Sequence, residues 1–424
     1  MTVDDFHQPT DEEIIEEARR LDKELPPTRS NVRKEISFAK ELLVVKGTEY
    51  ADLAADLVQR GGEEYKPPAD GDWRTEAWGA ERADLNKRYE DACLRVRLWT
   101  FPEAGVEEIN KIELDFRDRG VHQNRILVGA KGTSPHPAGA PAAAATTGSI
   151  VLSAPTPGPP GLAVLDTGLP DGWADMHPGL AGAITQDPGD LPEQVIATDL
   201  ALGHGLFICG LVRRSEPSVR MQVRRVLRFR IVDDAFLCAE LGERTEPVVN
   251  LSIVTECQGG ATAPVGIRTA VSALARKGTV VVAAAGNNGS DGQPVFGFFP
   301  AEFKNVIAVG AFDPHMSPPT QSGFSNHGRW VDVWAPGTRL KSTYVKSTDL
   351  PTFAGGWAIW SGTSFAAPLV SAKIAKLVQD KAPDDTRLPI QVAEDFLSDV
   401  DRSDFSGNGR QLFPSHLVEL TKDS

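Results

Sequence analysis

PVVNLSIV (247–254), VGIRTAVSALARK (265–277) and GTVVVAAAG (278–286) follow one another closely in the chain. The first and third are short apolar runs rich in Val. The middle one repeats its apolar residues at helical spacing. A strand, a helix and a second strand form the unit of a parallel sheet, because parallel neighbours need a long crossover. Apolar residues at successive positions mean that both faces of each strand are covered. Runs of the same kind recur on either side: GLAVLD (161–166), SVRMQVRRVL (218–227) and NVIAVGAF (305–312). A long helix is expected over SFAAPLVSAKIAKLVQDKA (364–382), with Pro368 near its start, where proline is tolerated. Residues 161–424 therefore read as one large α/β domain with a C-terminal extension: three layers, helices on both faces of a mainly parallel sheet.

Before it, the pattern changes twice. Residues 1–130 read as a smaller α+β module. A helix is expected over 11–25, stopped by Pro26-Pro27. Strands are expected at 41–47, 92–101 and 124–130, with helices at 48–60 and 107–119. Residues 131–160 are dominated by Ala, Pro, Gly, Ser and Thr. Such a composition buries too little apolar surface to offset the entropy of ordering, so this stretch reads as a linker. It is either a plain spacer or a place where the chain is cut.

Composition excludes several roles. The chain carries 44 basic against 58 acidic residues, a net charge of −14, which argues against nucleic acid as a partner. No run approaches the roughly 18 apolar residues of a membrane span. The start, MTVDDFHQPT, has neither the basic residues nor the apolar stretch of a secretory signal, so a cytoplasmic location is expected. Cys93, Cys209, Cys238 and Cys257 have no metal-type spacing and read as buried free thiols, with a Cys238–Cys257 pair as the alternative. The arginines between Arg213 and Arg230 read as a solvated face, with an anionic docking site as the other choice.

Four residues stand where chemistry would need them. Asp166 ends an apolar strand, and ligands of open α/β sheets bind beyond the strands' carboxyl ends. Alone it would be a turn residue. His204 lies between Gly203 and Gly205 before an apolar helix; His177 and His327 are alternative bases in loop-like contexts. Ser364, in SGTSFAAP, opens a helix, where backbone N–H groups and a partial positive charge can meet an oxyanion. Its bland role would be an N-cap. Asn287 follows a strand and could donate to the same oxyanion, although Asn in a Gly-rich turn is commoner.

AVLDTG (163–168), GHGLFICG (203–210) and SGTSFAAP (361–368) resemble the Asp, His and Ser motifs of the subtilisin-like serine peptidases, the subtilases of family S8. VVAAAGN (281–287), PVVNLSIV (247–254), FFPAEFKNVIAVGAFD (298–313) and FSNHGRWVDVWAPG (324–337) are also similar to stretches of that family. The order Asp, His, Ser is that of subtilisin. The resemblance covers about 161–382. It implies a subtilisin-like fold and a serine endopeptidase with Asp166, His204 and Ser364 as triad and Asn287 in the oxyanion hole. It implies a polypeptide substrate lying along Leu251, Ser252, Ile253 and Val254, with Ala283–Gly286, Ala284 and Gly286 among them, and the Phe296-Gly297-Phe298-Phe299 stretch on the opposite wall. A silent binding scaffold on the same fold remains the alternative.

Departures bear on specificity and control. Leu206 and Phe207 stand where the family has Thr and His. Ile253-Val254-Thr255 stands where glycine is usual, which narrows the primary pocket. No cofactor is expected. Calcium is common in the family, but no contiguous loop here has a calcium-binding pattern such as the EF-hand. The N-terminal module sits where a prodomain would. Two roles stay open for it: an intramolecular inhibitor released by a cut within 131–160, or a permanent recruiting module.

Overall fold

The computed structural model describes residues 27–29, 36–66, 82, 84–129, 140–144, 154–187, 190, 200–227, 231–254, 263–289, 298–346, 351–399 and 410–411. The helix expected over 11–25 lies outside them. In the N-terminal part, β1 (Pro27–Arg29), β2 (Ile36–Val45), β3 (Glu63–Glu64), β4 (Val96–Thr100) and β5 (Val121–Gly129) form an antiparallel sheet. Helices α1 (Tyr50–Gln59), α2 (Leu85–Asp91) and α3 (Val106–Phe116) connect them. Residues 92–95, expected as strand, turn out of α2 instead, with Cys93 at φ 57°.

The chain then forms β6 (Ala142–Ala143), β7 (Leu162–Asp166), the single turns α4 (Trp173–Met176) and α5 (Pro178–Ala181), β8 (Ile184–Gln186), α6 (His204–Ser215) and β9 (Met221–Arg225). Next come β10 (Ile231–Asp233), α7 (Asp234–Gly242), β11 (Val248–Leu251), β12 (Ile253–Val254), α8 (Val265–Arg276), β13 (Val280–Ala284) and β14 (Val306–Asp313). The rest is β15 (Thr320–Gln321), β16 (Val333–Pro336), β17 (Leu340–Thr343), β18 (Trp357–Trp360), α9 (Thr363–Gln379), α10 (Pro389–Asp399) and β19 (Arg410–Gln411).

The large sheet has the order β19-β16-β14-β13-β11-β7-β9-β8, every neighbouring pair parallel, with β15 added antiparallel beside β14. The expected three-layer α/β fold is present. Alternation divides the layers: Leu162 and Val164 of β7 pack with α6 and α9, whereas Ala163 and Leu165 pack with α7 and α8. The strand is thus apolar over its first four residues, Leu162 to Leu165, because each face has its own core.

The N-terminal part has one core of its own and shares a second with the α/β domain. Leu42 and Val44 of β2 pack under α1 and α3. Leu43 belongs with Val96, Leu98 and Leu127 to the same core as Phe236, Leu237 and Val271 of α7 and α8. The sheet also recruits β10 and β12 from the α/β domain, both antiparallel to β5. The run ELLVV is apolar on both faces for this reason. One is covered locally and the other by the following domain.

Charge is buried at this junction. Arg82 donates to Glu41 at 2.8 Å and to Asp233 at 3.0 Å, and all three are buried. Asn124 donates to Asp233 and accepts from the Ala235 N–H at 2.9 Å. Tyr89 donates to the Ala235 carbonyl, and Arg88 pairs with Glu240 and Glu243.

Three expectations need correction. The arginine run is not a solvated face: Arg213, Arg224 and Arg225 are buried, and Arg224 is paired with Glu240 and Asp190. Burial is tolerated because carboxylates meet the guanidinium. Cys238 is a buried free thiol, so the pair with Cys257, which lies outside the described residues, is not formed; Cys93 is exposed rather than buried. The linker is not featureless: β6 within it pairs with β18.

Replacing Arg82 by Met leaves Glu41 and Asp233 buried without their cation. Losing one partner of such a cluster costs about 3–5 kcal/mol. Urea unfolding of Arg82→Met is expected to show that loss. A wild-type midpoint would mean that the cluster does not hold the two parts together.

Candidate active site

Asp166, fully buried, ends β7 at the carboxyl edge of the large sheet. Its Oδ1 accepts from the Thr167 N–H at 2.8 Å and meets His204 Nδ1 at 2.7 Å. A carboxylate on Nδ1 sets the imidazole tautomer, putting the free lone pair on Nε2. His204 is the first residue of α6, and the helix must come close to β7 for this contact. The flanking glycines permit it. A Cβ on Gly205 would lie 2.5 Å from the Gly168 carbonyl, and one on Gly203 would lie 2.2 Å from the Tyr344 ring. Thr167 Oγ1 accepts from the Gly205 N–H at 3.0 Å and fixes the approach.

The imidazole is walled by aromatics. Trp360 stands edge-on to it at 5.4 Å and Phe365 is tilted against it at 5.1 Å. Phe207 packs on both, at 5.8 Å and 4.6 Å. Phe207, one of the departures noted in the sequence, is thus the support behind the base's neighbours. His204 Nε2 is buried and has no hydrogen-bond partner among the described residues. Ser364, buried and adjacent in sequence to Phe365, is the second residue of α9. Its hydroxyl is not bonded to Nε2; such contacts are often long before substrate arrives.

The first turn of α9 is held by groups from two strands. Asn287 Oδ1 accepts from the Thr363 N–H at 2.9 Å and from Thr363 Oγ1 at 3.0 Å. Because a backbone N–H must face the oxygen, Nδ2 is left as the free donor. Nδ2 lies beside Gly362, 3.6 Å from where a Cβ would stand. Thr363 Oγ1 also accepts from the Gly286 N–H, and Asn326 bonds to the Ala285 carbonyl and the Asn288 N–H, locking the loop that carries Asn287.

Pro368 lies inside α9 rather than only at its start. It has no N–H to give to the Ser364 carbonyl four residues back. That carbonyl accepts from Ser252 Oγ at 2.8 Å instead. Asn250 donates to Ser252, and Ser371 donates to Asn250, so β11 and α9 are joined by a fully buried polar chain.

The structure thus brings Asp166 and His204 into contact and sets His204 against the neighbour of Ser364, with Asn287 at the same helix end. Ala284 ends β13, Gly286 follows it, and Phe298 approaches Gly286. Leu251 is not available to a substrate: it pairs with Leu165 on one side and Ala283 on the other, and its side chain is in the core. Ser252 is committed through its hydroxyl to Ser364. Ile253 and Val254 face β5. The alternative bases have other partners: His177 Nε2 meets the Tyr344 carbonyl at 2.8 Å, and His327 Nδ1 meets that of Ser325 at 3.5 Å. Among the described residues, no group of three or more His, Cys, Asp or Glu is placed to share a metal ion.

Residues 161–393 match the family model of the subtilases, peptidase family S8. The chain belongs to the subtilase family. This subtilase is 33% identical over 233 residues to a thermophilic serine proteinase of Bacillus sp. (strain AK1), covering 51% of each chain, so it spans about half of that relative's length. It is 33% identical to subtilisin BL of Lederbergia lenta over 52% of this chain and 77% of the relative. It is 29% identical to thermitase of Thermoactinomyces vulgaris over 56% of this chain and 81% of the relative. Fervidolysin from Fervidobacterium pennivorans has the same fold, with a TM-score of 0.58 at 17% identity over 93% of this chain and 62% of fervidolysin.

Thr363, Ser252, Asn250 and Asn326 were not picked out as positioning residues from the subtilase sequence. Only Pro368 signalled one of them, since a proline within a helix frees a carbonyl that must find another donor. Ser252→Ala leaves that carbonyl buried and unpaired, at a cost of about 1–3 kcal/mol. Thermal unfolding should show the loss, and Ser252→Thr should recover part of it. An unchanged melting temperature in Ser252→Ala would remove the bond from the account.

Proposed function

We propose that this chain is a serine endopeptidase acting through Asp166, His204 and Ser364. The observation that carries the proposal is the 2.7 Å contact between Asp166 and His204, with the ring set against the residue next to Ser364. Ser364 Oγ attacks the peptide carbonyl carbon as His204 Nε2 takes the hydroxyl proton. Asp166 stabilises the imidazolium. The carbonyl oxygen becomes an oxyanion, met by the Ser364 N–H and Asn287 Nδ2. Collapse of the intermediate breaks the C–N bond, and the leaving amine takes the proton from His204. Water, activated by the same imidazole, then releases the acyl group from Ser364.

The N-terminal part supplies support for where a peptide lies and for how activity is restrained. An extended peptide can add to exposed strand edges by main-chain bonds. Here β5 does so, with Val128 opposite both Val254 and Ile231. Beyond it, β6 pairs with β18, which ends at Trp360, four residues before Ser364. Residues 130–141 join β5 to β6. The N-terminal module thus covers β12, the strand read here as substrate-binding, and the linker pairs with the strand that leads to Ser364. This arrangement favours an intramolecular inhibitor, cut by the enzyme's own serine, over a permanent recruiting module. The bulk of Val254, where the family has glycine, favours small side chains in the primary pocket.

Purified wild-type protein is expected to separate into two fragments split within 131–160, whereas Ser364→Ala stays in one piece. Intact mass measures both. Wild-type protein that is intact and fully active would contradict the inhibitory role.

Asn287→Ala is expected to lower kcat by about 10²–10³-fold, a magnitude established on subtilisin itself, with little change in KM. Steady-state kinetics on a peptide substrate separates the two constants. A loss confined to KM would take Asn287 out of the oxyanion hole.

A further inference from the structure

A cleft of about 490 Å³ lies between the N-terminal module and α8, away from the triad. The module contributes Lys46, Thr48 and Arg95, and α8 contributes Arg268, Ser272 and Arg276. Among the described residues lining it, none is acidic. Arg95, Arg268 and Arg276 are exposed and make no ion pair among the described residues, while Lys46 lies 5.2 Å from the Tyr50 ring. Arginines elsewhere in the module are matched: Arg60 with Asp115, Arg119 with Asp56, Arg97 with Glu90. Four like charges gathered across a docking interface repel one another, in a chain whose net charge is −14. The field is felt beyond the cleft: His122 of β5 is pushed down to about 4, first by burial and then by Arg125, Arg268 and Arg117.

Guanidinium groups donate to phosphate oxygens in paired, charge-assisted hydrogen bonds, and hydroxyls of Thr48 and Ser272 add neutral donors. The cleft volume falls in the usual range of small-molecule sites, about 300–1,000 Å³. We propose that this cleft binds a small oligophosphate anion, which bridges the module to α8 and holds the module in place. The binding stands on the cleft alone; its effect on activity rests on the reading of the module as an inhibitor.

The test uses the full chain as Ser364→Ala, so that it stays in one piece, and sodium tripolyphosphate as the probe. Calorimetry is expected to show saturable one-to-one binding. With Arg268→Gln and Arg276→Gln added, affinity should fall by about tenfold or more, as expected for losing two charge-assisted contacts. Lys304→Gln, outside the cleft, should bind like its parent. Should the double variant fail to fold, Lys46→Gln with Arg95→Gln tests the opposite wall. ATP as a second probe separates sources: equal binding assigns the site to a triphosphate group wherever it is carried, and exclusion of ATP assigns it to the free anion. Absence of saturable binding, equal binding by the double variant, or citrate binding as tightly as tripolyphosphate would overturn the proposal. In the wild-type chain the anion should also delay the rise of peptidase activity several-fold. Binding without that delay would count against the inhibitor reading and leave the site standing.

Discussion

Pro368 denies the first turn of α9 one backbone hydrogen bond, and the active site is organised around the group that bond would have used. The Ser364 carbonyl turns to Ser252, at the end of β11, and is held there at 2.8 Å. Ser252 is in turn held by Asn250, and Asn250 by Ser371 one turn past the proline. Thr363 does the same work on the other side, fixing Asn287 and the Gly286 backbone. A helix that would otherwise be free to slide is pinned to two adjacent strands of the sheet. The position of Ser364 follows from that pinning, as does the direction in which Asn287 presents its amide hydrogens.

The second constraint is steric. His204 can reach Asp166 only because α6 begins with glycine on either side of it. This is a matter of close approach to the Gly168 carbonyl and the Tyr344 ring, not of unusual dihedral angles. The bond at 2.7 Å then locks the ring, and Trp360 and Phe365 keep water from one side of it.

Much of this was legible in the sequence, because the relevant signals are local. Continuous Val and Ala runs bounded by glycine and proline marked β7, β11, β13 and β14. The glycines around His204 and the helix opening at Ser364 marked the site. What could not be read were partners brought together from afar. Ser252 and Ser364 are 112 positions apart, and Thr363 and Asn287 are 76 apart. The burial of Arg224 followed from Glu240 and Asp190, which have no sequence relation to it. Leu251 looked like part of a substrate edge because strand pairing on both sides cannot be told from one side. ELLVV did contain a clue that the N-terminal module shares a core with the domain behind it. An antiparallel strand with an open face alternates, and this one does not.

The proposed restraint of catalysis rests on the same junction. β10 and β12 belong to the α/β domain yet complete the module's sheet, and Asp233 both caps α7 and meets Arg82. The strand proposed to receive a peptide, β12, is paired with β5 of the module. The most direct test of the account is labelling with a fluorophosphonate, which reacts only with a serine whose proton can be taken and whose oxyanion is met. After release of the module, the probe should be found on Ser364 by peptide mass spectrometry, and His204→Ala should abolish the label. Failure to label Ser364 in the processed protein, or labelling that survives loss of His204, would contradict the catalytic assignment.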